Sequence, residues 1–390
     1  MNAGYYASPW PAEDAGPARL QACTTARGFA VQDGRRLHST SRNTTLSTMT
    51  VLGDPGEVYL LTHSALRSNF GLPTTSCVER IDPITLATLE SSGRLPGGPM
   101  WPGGLAVHRN GDLYVVYGRY AHRLNRHCVL KQSRMLPVNQ PYNSFVVLDN
   151  GLIVTKNLSD KQPAQLTVLD PEGLQPVCAD VLCPEPSIAR LSAVGNTVYV
   201  VGVRSIFRLQ WDAPTQTLQR DPHWCWDYIG TSAQSYGWDV VIDGQSAWFM
   251  DNGHHRYRIR MQGAGVSRTA NRLLRVSLSD SDDYASLAIS GLPGGSITNP
   301  PLVDVHRRMC WAMTLPIAFC VRGDLAMTCM TCNPFGTKQT LAWLATWFYF
   351  QSARKWFSTT IGAGVRKWWC WTSIRASNRA GCVWVVSRRA

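Results

Sequence analysis

Acidic residues all but vanish from one end of this chain. From Trp311 to Ala390 there are ten Lys/Arg and a single acid, Asp324. The formal charge of +12 is therefore local: residues 1–310 carry 28 basic against 25 acidic side chains, and the tail supplies the remaining +9. A basic stripe laid over a whole domain is the electrostatic footprint of nucleic-acid binding, and its lack excludes that class. The N-terminus has no basic n-region followed by an apolar h-region, so no secretory signal is expected. No apolar run reaches the ~18 residues of a spanning helix, the longest candidate being Leu341 to Phe350, so no transmembrane segment is expected either. Cysteine is sparse: 12 in 390 residues, well below a disulfide scaffold. Cys23, Cys77, Cys128, Cys178, Cys183 and Cys225 lie at no metal spacing. They read as free thiols in a reducing compartment, which makes the cytoplasm the expected location. Gly 32 and Pro 23 are ordinary, which excludes a collagen-like or disordered chain.

What is present is a repeat. Glycine-bearing turns followed by a β-branched or aromatic run recur as GEVYLLTH from Gly56, NGDLYVVYG from Asn110, DNGLIVTKN from Asp149, GNTVYVVGV from Gly195 and DGQSAWFMD from Asp243. Four of them follow a short apolar strand: LAVHR from Leu105, FVVLD from Phe145, LSAVG from Leu191 and DVVID from Asp239. Asn-Gly and Asp-Gly between apolar runs mark hairpins, because both residues tolerate the positive φ of tight turns. Outer strands with Asp-bearing turns recur near Val78, Ala164, Ser205 and Asn271.

Three to four short strands per unit of ~40–50 residues is the period of a propeller blade. No amphipathic helical stretch separates the units, which disfavours a parallel βαβ architecture. The expected fold is all-β, a six- or seven-bladed β-propeller, incomplete as written and followed by an irregular C-terminal tail. Residues 1–50 form an N-terminal segment offering a ring-closing strand, residues 51–310 the blades, and residues 311–390 a Trp/Cys/Arg-rich tail that is not natively folded.

The tail holds eight of the 15 tryptophans and five of the 12 cysteines, and its turn dipeptides disappear. A shifted reading frame accounts for this. Combining the last base of each codon with the first two of the next forces Lys367 to Thr372 to read Met/Val-Val-Val-Leu-Asp, whatever codons were used. Trp347 to Phe350 then reads Val-Leu-Phe/Leu, and Met313-Thr314 reads Asp. These are strand-and-turn residues like those upstream. Resequencing the coding DNA is expected to show a one- or two-base discrepancy near the codons for Met309 to Ala312. A clean read, together with a C-terminal peptide containing WWCWTSIR in the mass spectrum, would exclude it. The CxxC of Cys329 and Cys332 has no second ligand pair at finger spacing and falls in this tail, so no zinc site is expected there.

In a propeller the loops entering the innermost strands converge on the mouth of the central channel, where ligands meet a rigid scaffold. Those loops carry Trp101, Asn143, Arg190, Tyr236, Trp238, Asp239 and Asn299, the candidate binding residues. Such a mouth is expected to receive a small molecule or a protein. Other constellations are weaker. Asp251, Asn252, His254 and His255 cluster in an apparent loop insertion between Asp251 and Ala270, alongside Arg256, Arg258 and Arg260. Met261 to Val266 has no strand-to-helix switch for a phosphate loop, and no GxSxG elbow supports serine catalysis.

PYNSFVVLDNGLIVTKN from Pro141 and SYGWDVVIDGQSAWFMDNG from Ser235 resemble the inner-strand units of gluconolactonase and strictosidine-synthase-like propellers. IDPITLATL, from Ile81 to Leu89, is similar to strands of quinoprotein-like and YVTN-like propellers. The first resemblance implies a divalent cation, calcium or zinc, held by an Asn, an Asp and a Glu. These would be Asn143 and Asp239, with Glu57 as the positional candidate for the Glu. Such a metal would polarise a lactone carbonyl and activate water. Two functions follow: a recognition module with its site at the channel mouth, or a metal-dependent lactonase or esterase.

Overall fold

The computed structural model describes residues 3–23, 39–44, 46–230, 234–253, 269, 271–289, 300–304, 309–314, 317–324, 326–330, 344–350, 355–361, 369–372 and 387–388. Asn299, the loop from His254 to Val266 and Cys332 lie outside these residues. Among the described residues there is no α-helix, and none is long and apolar enough to cross a membrane.

The strands group into antiparallel sheets that follow one another along the chain. Blade 1 comprises Ser47–Leu52, Val58–His63, Thr74–Ile81 and Thr88–Ser91, with Leu95–Gly98 added beside the third strand. Blade 2 comprises Gly104–Val107, Leu113–Tyr117, Tyr120–Leu124 and Leu130–Met135. Blade 3 is Tyr142–Val147, Ile153–Asn157, Gln165–Leu169 and Val181–Leu182. Blade 4 is Ser192–Val194, Thr197–Val201, Ser205–Asp212 and Thr217–Asp227. Blade 5 is Val241–Asp243, Ser246–Met250, Asn271–Ser277 and Tyr284–Ile289. Leu302–Asp304, Met309–Thr314, Ile317–Asp324 and Ala326–Met330 make a sixth sheet, and Leu344–Phe350, Lys355–Ile361 and Trp369–Thr372 a seventh.

The first strands of successive sheets from blade 1 to the sixth pack beside one another in chain order. Apolar faces meet between neighbouring blades. Val115 and Leu113 of blade 2 pack with Leu61 and Val78 of blade 1, and Val154 and Val168 of blade 3 with Val198 and Phe207 of blade 4. This is the radial architecture the repeat predicts. The glycines sit where the hairpins need them, Gly111 at φ 84° and Gly195 at φ 61°. Blade 1 starts at Ser47, and the sixth sheet runs through residue 311. Ser47–Leu52 pairs with Val58–His63 in its own blade, while Arg42–Asn43 pairs in parallel with Ser387–Arg388.

In a propeller the innermost strand of each blade leaves one edge of backbone groups facing the channel. Here residues 3–23 supply the partners, as a strap crossing those edges. The amides of Leu52, Val107, Ala193 and Ile242 donate to the carbonyls of Trp10, Pro11, Pro17 and Ala18, at 2.8, 2.7, 2.8 and 2.9 Å. Blades 1, 2, 4 and 5 are thus tied from within. Tyr5 is wedged between blades 2 and 3, its hydroxyl oxygen accepting from the Val147 amide at 2.8 Å. Tyr6 donates to Asp54, which also pairs with Arg126.

Candidate functional site

Each first strand begins at the channel mouth and ends in its hairpin turn, so residues just before these strands share one end of the molecule. Six sequence candidates are found there together. Trp101 Nε1 donates to Asn143 Oδ1 at 2.6 Å, and Asn143 Nδ2 donates to the Ile188 carbonyl at 2.7 Å, which links blades 2, 3 and 4. The Arg190 amide and Nη1 both donate to the Asp239 carboxylate, at 2.6 and 3.0 Å, linking blades 4 and 5. Trp101 and Tyr236 pack, half-buried, against a cluster containing Ile188 and the buried Trp238. Asn143 and Asp239 are fully buried.

The local chain explains this placement. A register shift between Tyr142 and Phe145 makes a bulge at the entry to blade 3. Ser144 there takes φ 68°, a left-handed conformation costly for a side-chain-bearing residue. Bulges re-aim side chains at sheet edges, and this one sends Ser144 Oγ to Glu13 Oε2, a 3.0 Å hydrogen bond to the strap.

The floor of the mouth is the part that sequence reasoning misses. Glu13, Asp14 and Arg19 of the strap join Arg190 and Asp239 in one charged cluster. Arg19 Nη1 lies 3.1 Å from Glu13 and 2.8 Å from Asp14, and its Nε donates to the Leu191 carbonyl at 2.9 Å. Arg190 Nε stands 3.1 Å from Glu13 Oε1. With every group ionised, three carboxylates face two guanidinium groups. Burial pushes the Asp14 carboxyl up to about 6, against the pull of Arg19. Burial draws Arg190 downward, but Glu13, Asp239 and Asp14 outweigh it and hold it above its ordinary value. No periodic signal marks residues 13–19. The only clue is a pair of acids ahead of Gly-Pro, in a stretch that otherwise reads as featureless.

Glu57 is not part of this cluster. It lies in the hairpin turn of blade 1, at the opposite end of the first strand, paired with Arg126 at 2.9 Å. The oxygen donors that a cation would need are also engaged, Asn143 Oδ1 by Trp101 and both Asp239 oxygens by Arg190. Among the described residues no three His, Cys, Asp or Glu side chains converge as a metal cluster. The residues present do not fit a shared metal centre. Beside the cluster a cavity of about 10 Å³ lined by Tyr5, Ala12, Glu13, Arg19, Ser144 and Phe145 has room for about one water.

No protein-family model and no curated protein matches the chain. Solved structures do. The quinohemoprotein alcohol dehydrogenase ADHIIG from Pseudomonas putida HK5 superposes with a TM-score of 0.52 at 10% identity, over 91% of this chain and 64% of that one. The Neurospora crassa Pan2 WD40 domain gives 0.49 at 9% identity, over 80% and 86%. Virginiamycin B lyase from Staphylococcus aureus gives 0.48 at 12%, over 81% and 92%. At 10% identity the likeness to the dehydrogenase is one of fold alone. This chain is a β-propeller.

Proposed function

We propose that the protein is a recognition module that engages another protein across the mouth face of its propeller. The observation that carries this reading is a set of exposed apolar side chains at the mouth end of blade 1. The loop between the second and third strands of blade 1 lies at the mouth end. It presents Leu66, Phe70 and Leu72 at 62, 79 and 49% exposure, and Met100 on the connection to blade 2 is 38% exposed. Large apolar side chains exposed together on one loop are costly in water and are a feature of interaction sites. Aromatic anchors of this kind carry much of the affinity at interfaces. Beside them the strap crosses the inner strand edges, and Trp101 packs with Ile188 and Trp238, so the exposed apolar side chains support a protein partner over a small molecule.

The test compares proteins captured by the wild-type chain and by a Leu66→Asp/Phe70→Asp variant, with unchanged circular dichroism as the folding control. A partner depleted roughly tenfold or more by the variant supports the reading. Equal capture by both overturns it. Metal analysis of the same preparations separates the lactonase alternative. Stoichiometric calcium or zinc, lost in an Asn143→Ala/Asp239→Ala variant along with lactone turnover, would move the assignment to a hydrolase.

A further inference from the structure

We propose that Ser144, Arg190 and Arg19 form a carboxylate-binding site at the floor of the channel mouth, filled in this chain by its own Glu13. The strap is then a built-in ligand, and a free carboxylate of formate or acetate size takes the place of the Glu13 side chain when that side chain is removed. This does not depend on those exposed apolar side chains recognising a protein.

The site is built by the blades as well as by the strap. Blade 3 contributes the Ser144 hydroxyl, 3.0 Å from Glu13 Oε2 and aimed by a strained, left-handed backbone. The entry to blade 4 contributes Arg190, which Asp239 clamps through two donors, the backbone amide and Nη1. That clamp fixes the guanidinium before any ligand arrives, the preorganisation that makes a planar fork selective for carboxylates. Arg190 Nε points into the site as a buried donor without an aligned hydrogen bond, although Glu13 Oε1 lies only 3.1 Å away. Glu13 thus supplies the charge that Arg190 faces but does not use its best direction. A free carboxylate is not tethered to a strained strap and can turn to meet that donor.

Arg19 is shared between Glu13 and Asp14 while Asp239 pairs with Arg190, so a free carboxylate in place of the Glu13 side chain restores the native set of three carboxylates around two guanidinium groups. The small cavity that borders Glu13, Ser144 and Arg19 adds to the volume opened by truncation at position 13.

The experiment uses the full chain carrying Glu13→Ala, with sodium formate and acetate as probes and sodium chloride at equal ionic strength as the control. The variant is expected to melt roughly 5 °C below wild type, the size of effect for breaking a buried ion pair in a chain of this length. Formate or acetate should recover about half of that loss, with a saturable concentration dependence, and leave the wild-type Tm unmoved. Adding Ser144→Ala to the variant should abolish the recovery. Should Glu13→Ala fold too poorly to melt, its refolding yield in formate against chloride reads the same property. Equal shifts in wild type and variant, or no difference between formate and chloride in either assay, would overturn the proposal.

Discussion

Arg19→Ala is expected to lower the unfolding free energy by about 3–5 kcal/mol at pH 7, the usual cost of leaving buried partners without their counter-charge. Arg19 is 3% exposed and bonds to three groups: Glu13, Asp14 and the Leu191 carbonyl. Its loss leaves two carboxylates facing each other on the channel floor and a carbonyl without its donor. Arg19→Lys keeps the charge but not the fork and should recover only part of the stability.

The pH dependence follows from Asp14. Its folded value of about 6 lies above the unfolded 3.8, so between these pH values the unfolded chain releases a proton that the native chain keeps. Stability therefore falls as pH rises from about 4 to 6, by ~2 kcal/mol once the 21% exposure of the carboxylate is allowed for. Asp14→Asn should flatten that limb, and Arg19→Ala should steepen it. Denaturant titrations at a series of pH values check all three. A loss under about 1 kcal/mol for Arg19→Ala, with wild type and Asp14→Asn equally flat, would mean that the strap does not hold the ring.

How far the molecule could be read from its residues divides along the range of the forces involved. The hairpins were legible because their turns are local chemistry. Asn110-Gly111 and Asp243-Gly244 name the turn, and the alternating or doubly buried runs on either side name the strands. The positions of Trp101, Asn143, Arg190, Tyr236, Trp238 and Asp239 follow from that register. The strap was not legible. Its bonds to Val107, Ala193 and Ile242 join residues distant in sequence. Asp14, Ala15, Arg19 and Gln21 all take positive φ without being glycine, a conformation that tertiary contacts impose and no propensity announces. Glu57 shows the complementary failure. It sits at the expected place in a repeat unit, but in the hairpin turn, and so at the wrong end of its blade to meet Asn143 and Asp239.

Lys156→Met is expected to stabilise the protein by about 1 kcal/mol at pH 7 and to remove a rise in stability on the alkaline side. Lys156 lies in the second strand of blade 3, fully buried, with Nζ donating to the carbonyls of Ser187 at 2.9 Å and Asn157 at 3.3 Å. Two carbonyl dipoles compensate an ammonium poorly. Burial accordingly pulls its pKa down to about 8, with the Cys183 and Asp239 charges opposing. The sign is the reverse of that for Asp14. Between about pH 8 and 10.5 the unfolded chain binds a proton that the native chain has released, so stability climbs with pH across that window, by up to ~3 kcal/mol. Methionine keeps the length and flexibility of the side chain without the charge. It gives back that ~3 kcal/mol at neutral pH but takes a donor from each of two carbonyls, of which that of Ser187 keeps the Ser159 amide, at about 1 kcal/mol each. The balance should reverse above pH 10.5, where wild-type Lys156 is neutral and still hydrogen-bonded. Urea titrations of both proteins from pH 7 to 11 should give curves that cross. If Lys156→Met is destabilised at pH 7 and keeps the alkaline rise, the ammonium is solvated in a way its burial does not allow.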